Sequence, residues 1–250
     1  MNFLSQLFGT HRRSQAVADC LAGFPFEVEA VPGERALARL EELRTPDFTP
    51  VILGDGDGLR RRVALLARDP FTVADIQSRV RSIGTPEWWF TARTHALEEC
   101  FEDVVGEWPA EYTPHDTVQA IYNRATGGPL PEVFITRLPI KDSWDAPVML
   151  RFGGWDDSPF PEEHTAIARA WHEQYGAEII AVTADTLEFA VSRPPATRDA
   201  AEELAMDQFA YCETLITHLT GSIRALAASL LNAPYWFFWW ERSAAELAGD

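Results

Sequence analysis

The sequence predicts an α+β fold in which a mixed or antiparallel sheet carries flanking helices. Short alternating apolar runs typical of strands stand beside longer runs of helical period, without the regular β-α alternation of a doubly wound sheet. With 46% hydrophobic and 12% aromatic residues in a chain of 250, apolar surface suffices for a real core. The pattern divides the chain into a segment 1–23, an N-terminal block 24–131 ordered β-α-β-α with a helical middle, and a C-terminal module 132–250 ordered β-β-α-β-β-α-α.

In the first block, the alternation of Phe26 to Val31 suits a strand with one buried face, and Pro32-Gly33 ends it. Ala36, Leu37, Leu40 and Leu43 recur at helical spacing among charged residues, so an amphipathic helix follows until Pro46. Val51-Ile-Leu53 reads as a short buried strand and Leu59 to Ala67 as a second helix. Helical periodicity recurs over 73–83 and 95–105. Pro and Gly then punctuate 106–131, which reads as a long connection or domain seam.

The C-terminal module opens with two predicted strands, Val133–Leu138 and Val148–Phe152. After Gly153-Gly154 and Pro161, the residues His164, Ile167, Ala168, Trp171 and Tyr175 share one helix face, which Gly176 closes. Glu178–Val182 and Thr186–Val191 form a hairpin about Ala184-Asp185. Thr197 is a suitable N-cap for a helix through about Cys212, and a last helix runs from Ile223 to Leu231. The aromatic run Tyr235–Trp240 follows.

Composition narrows the function classes. The net charge of −17, with Lys141 the only lysine, repels phosphate backbones and anionic membranes, so nucleic acid and membrane partners are not expected and a basic protein partner is the complementary possibility. Three scattered cysteines without a C-x-x-C pair suggest neither a disulfide framework nor a zinc site, which fits a reducing cytosol. Residues 1–8 lack the charge order of a signal peptide, and no run reaches the roughly 20 apolar residues of a membrane span. No cofactor or metal motif is present.

Over about 147–240 the chain resembles an uncharacterised bacterial family, domain of unknown function 4253. The resemblance rests on Gly153-Gly154-Trp155, Pro161-Glu-Glu-His164, Trp171 to Glu178, Asp185 with Glu188, Arg193-Pro-Pro195, Gln208 to Cys212 and Trp239-Trp240. Asp156, Thr220-Gly221 and Glu241 depart from the family's pattern. It implies no activity; relatives near toxin and immunity genes make an immunity-like role conceivable.

Several residues are candidates for chemistry. Gly54-Asp-Gly-Asp-Gly58 stands where phosphate loops occur but lacks the lysine and spacing they need, so an aspartate-capped turn is expected. His164, beside Trp155, Trp171 and several carboxylates, is either an acid-base group or a core histidine packed on aromatics. Asp185 and Glu188 are either a divided acid-base pair or a turn former and a strand charge. Cys212, with His218 six residues on, is either a nucleophile or an inert buried thiol. Trp236, Trp239 and Trp240 are either core or a stacking platform. The expectation is a noncatalytic, acidic protein-binding module, such as an immunity-like inhibitor of a basic toxin. The alternatives are an enzyme with a site near Trp155 and His164, and a small-molecule sensor with an aromatic pocket near Trp236 and Trp239.

Overall fold

The computed structural model describes residues 24–68 and 104–242, with Leu21, Ala74, Asp75 and Ser78 as isolated positions. The helical periods over 73–83 and 95–105 and the cysteines Cys20 and Cys100 fall wholly or largely outside these residues. The fold is α+β.

The N-terminal block supplies β1 (Glu27–Val31), α1 (Ala36–Leu43), β2 (Thr49–Gly54) and α2 (Gly56–Arg68). The glycine-rich loop is a capped turn, as expected: Asp55 Oδ1 accepts from Asp57 N at 3.1 Å and Gly58 N at 2.9 Å, satisfying amides that the first helical turn leaves free. The C-terminal module continues with β3 (Val133–Leu138), α3 (Ala146–Leu150), α4 (Pro161–Tyr175), β4 (Ala177–Val182), β5 (Thr186–Val191), α5 (Arg198–Tyr211), α6 (Ile223–Leu230) and β6 (Tyr235–Trp239). A π-helical turn, Leu215–Thr220, joins α5 to α6.

One predicted element is corrected. Residues 148–150 are helical, not extended: they belong to α3, whose Pro147 lies in the first turn, where its missing N–H costs nothing, and whose end is fixed by Arg151 in the left-handed region at φ 49°. All five residues of α3 are buried, and a short apolar run of that kind fits a buried strand or a buried helical turn equally well.

The six strands form one sheet in the order β1-β3-β2-β4-β5-β6, to which both sequence blocks contribute. Every pairing is antiparallel except β2 with β4, which meet in parallel at Ile52 and Ala181. Period-two alternation splits the apolar residues between two faces. Val51, Leu53, Phe134 and Leu138 join the larger core under α2 to α6, while Ile52, Val133 and Ile135 join a smaller one with α1 and residues 118–121. The helix ends are capped as the sequence predicts: Thr197 Oγ1 accepts from Ala200 N at 3.3 Å, and Gly176 takes φ 60°. Arg193 adds a second closure of α4 by donating to the carbonyls of His172 at 3.2 Å and Glu173 at 2.9 Å.

Candidate functional site

The Gly153-Gly154-Trp155 segment and the start of α4 are built around one imidazole. Pro161 opens the helix, and the Phe160 amide donates to Glu163 Oε2 at 2.8 Å. His164 therefore falls one turn in, on the core face. Gly153 sits at φ 111°, and a Cβ there would strike the Pro159 carbonyl and lie 2.6 Å from the His164 ring, so only glycine lets the loop close over the histidine. His164 is fully buried, its ring centroid 5.0 Å from those of both Phe152 and Trp240. Its Nδ1 lies 2.5 Å from the Tyr211 hydroxyl and its Nε2 3.3 Å from Ser158 Oγ.

Burial, reinforced by the nearby Arg62 guanidinium, pushes the His164 pKa down to about 3. The imidazole is thus neutral at any physiological pH, and among the described residues it is held by two hydroxyl groups and no carboxylate. Trp171, at 1% exposure, and Trp155, at 6%, lie in the same filled core. Trp240 belongs to it too, its ring 5.1 Å from that of Tyr211.

Arg62 is the residue that sequence reasoning missed. It occupies a polar position of α2, next to Arg61, yet is completely buried in the C-terminal module. Its guanidinium lies 5.1 Å over the Phe152 ring and donates to Leu150 O at 3.2 Å, to Ala184 O at 3.2 Å and to Thr183 O. Burial first, and the neighbouring charge of Arg242 second, push its pKa down to about 9. Arg242 stacks 3.5 Å over Trp155 and donates to Ala184 O at 3.1 Å, so Trp155 acts as a platform for a cation.

Asp185 and Glu188 have separate partners. Asp185 Oδ2 accepts from Trp239 Nε1 at 3.3 Å. Glu188, fully buried, accepts from Gln119 N at 2.6 Å and Ala120 N at 2.7 Å, pinning the connection 106–131 to β5. Its pKa rises to about 7 because burial outweighs the two amides and the Arg124 charge. Cys212 donates to Trp239 O at 3.2 Å, and burial pushes its thiol up to about 11, which makes it a poor nucleophile.

A concave feature lies elsewhere, beside β6. Along that strand Trp236, Phe238 and Trp240 turn into the core, while Tyr235, Phe237 and Trp239 are half-buried on the opposite side. A cavity of about 440 Å³ opens between this strand, Gln208 of α5, Leu215 and Leu219 of the π-helical turn, Ser229 of α6, and His115. Trp236 and Trp239 both line it. Among the described residues, polar atoms of three lining residues, Gln208 Nε2, His115 Nε2 and Trp236 Nε1, are buried without a hydrogen-bond partner. Buried polar groups are nearly always satisfied, so the Gln208 and His115 atoms beside this cavity are two positions at which a bound molecule would supply a missing bond. Among the described residues no group of three or more His, Cys, Asp or Glu is placed to hold a metal ion, and no helix is long and apolar enough to cross a membrane.

Residues 134–241 match the model of a family described as a domain of unknown function (DUF4253). The match runs from β3 past Trp240 and takes in the His164 core, whereas Arg62 and the cavity residues His115, Gln119 and Arg124 lie outside it. No curated protein matches the chain, and neither does any solved structure.

Proposed function

We propose that this chain is a noncatalytic binding protein whose ligand is a small molecule held in the aromatic cavity at β6. One observation carries this: the cavity wall combines four aromatic residues of β6 with buried polar atoms that lack partners. Its volume falls within the roughly 300–1,000 Å³ typical of small-molecule pockets. The alternative of an enzyme centred on His164 loses ground, because that imidazole is enclosed by side chains and does not line the cavity beside β6. Tryptophan emission should respond to ligands, since Trp236 and Trp239 are wall residues. The expected outcome of a small-molecule screen is a saturable emission change that Ser229→Phe weakens at least ~tenfold while the circular dichroism melt stays cooperative. A silent screen speaks against the cavity as a binding site.

Docking to a basic protein is the second reading, and one structural observation favours it. Phe160 is 56% exposed, with Asp156 and Asp157 exposed in the loop that precedes it. An exposed aromatic preceded by two exposed aspartates suits a partner that brings arginine or lysine. Such binding is expected to weaken steeply between low and high salt and to be lost in Phe160→Ala. Salt-independent capture of a partner contradicts it.

A further inference from the structure

The following rests on the cavity being the binding site, as proposed above, and concerns what fills it. The register of β6 decides which backbone groups face the cavity. At the two ends of its pairing with β5, Val191 N donates to Pro234 O at 2.8 Å and Trp240 N donates to Asp185 O at 3.1 Å. In an antiparallel ladder such bonded pairs recur at every second residue, so Trp236 and Phe238 spend their backbone groups on β5. Tyr235, Phe237 and Trp239 turn theirs outward from the sheet edge. Trp239 confirms the direction: its carbonyl accepts from Thr214 Oγ1 and from Cys212 Sγ, both beyond the edge. Among the described residues, no hydrogen bond reaches the outward N–H and C=O of Phe237.

Residues from both faces of β6 line the cavity, Trp236 from one and Tyr235, Phe237 and Trp239 from the other, so the cavity runs along this free edge. The far side of the cavity is bounded by α6 and the chain near His115, whose amide donates to Ser229 O at 2.8 Å. The Phe237 N–H and C=O stand side by side as they would toward a neighbouring strand, a donor next to an acceptor. Gln208 adds an amide with the same dual character, and it is 1% exposed.

Charge excludes one class of occupant. The chain carries −17, and the one arginine of the cavity wall, Arg124, is an exposed side chain lying 5.7 Å over the Phe237 ring. An anion would enter against the field of the whole molecule and find little compensation. A pure hydrocarbon would leave the Gln208 and His115 atoms unsatisfied.

We infer that the cavity takes a compact, planar, uncharged molecule with an amide-type edge, a lactam or nucleobase-like heterocycle, paired to the Phe237 backbone and the Gln208 amide and stacked among the β6 aromatics. Three bicyclic probes of similar size separate this from its rivals: 2-quinolinone, naphthalene and 2-naphthoate, titrated into the full chain with tryptophan emission as readout. The lactam is expected to bind at least ~tenfold more tightly than either of the others, which is about one satisfied hydrogen bond. Gln208→Met should erase most of that preference while leaving naphthalene within ~twofold of its original affinity. His115→Phe serves as the second wall variant if Gln208→Met does not fold. Equal or tighter binding of naphthalene or 2-naphthoate, still weakened by Ser229→Phe, overturns the lactam assignment and leaves the cavity as a binding site. Absence of binding by all three, or binding that Ser229→Phe does not alter, removes the cavity reading itself.

Discussion

Trp171→Ala is expected to lower the free energy of unfolding by ~3–5 kcal/mol, the range for deleting a large buried aromatic. The indole is 1% exposed and stacks on Phe238 at 5.3 Å with an interplanar angle of 16°. It also meets Tyr211 edge-on at 5.0 Å, Trp236 at 5.5 Å and Phe189 at 5.9 Å. Those rings come from α5, β6 and β5, so one side chain of α4 fastens three other elements, and the void left by alanine is bordered by aromatic rings that cannot all collapse into it. Trp236 is shared with the cavity wall, which ties the core to the proposed binding site. Urea denaturation read by circular dichroism checks the effect. A midpoint unchanged from the parent protein would mean that this helix face does not bear on stability.

The second large effect is a pH dependence with two opposed sources. His164 has a folded pKa of about 3 against an ordinary value of about 6.5, so the unfolded chain takes up its proton first. The stability it contributes is fully present above about pH 6.5 and is lost as the pH falls toward about 3, in all on the order of 5 kcal/mol. Glu188 has a folded pKa of about 7, above the ordinary carboxylate range, so its contribution is present below about pH 4.5 and is lost as the pH rises through 7.

Between pH 4.5 and 6.5 folded and unfolded chains each hold one proton on this pair of sites, and the two dependences offset. The Glu188→Gln protein lacks the compensating group. Its stability relative to the parent should therefore decline by ~1.4 kcal/mol for each pH step down across that window. His164→Phe should show the opposite divergence below pH 6.5. Parallel stability curves for parent and variants would show that neither group is held as the geometry implies.

Much of this fold was legible because local signals and tertiary packing agree. The strand alternation of residues 26–31, the Thr197 cap, the αL glycine at 176 and the Ala184-Asp185 hairpin each state a backbone preference that the sheet and helices then use. The miss at residues 148–150 arises where periodicity is absent, in a run buried on every side. The Tyr235–Trp239 strand has a period of two that sends Trp236 and Phe238 into the core and leaves Tyr235, Phe237 and Trp239 half-buried on the other face. Nothing local announces that outcome, because six consecutive aromatics have no polar partner to mark a face.

The two site features are less legible still. Arg62 is adjacent to Arg61 and looks like any solvated position on an amphipathic helix, and only the carbonyls of residues 150, 183 and 184, brought together by the sheet, make it a core residue. The cavity depends on His115, Gln208 and Ser229 converging on an edge strand from three separate segments. The resemblance that singles out Gln208 through Cys212 and Trp239-Trp240 does point to its inner wall. His164, the most conspicuous candidate for chemistry, turns out to hold the loop 153–159 against α4.

Crystallising the full chain with 2-quinolinone, or with any ligand that shifts tryptophan emission, tests most directly whether this is a molecule that binds at β6. The expected result is ligand density along the free edge of that strand, within hydrogen-bond distance of Phe237 and Gln208. Density against the His164 ring, with the 153–159 loop displaced to admit it, would contradict the assignment and restore that imidazole as the functional centre.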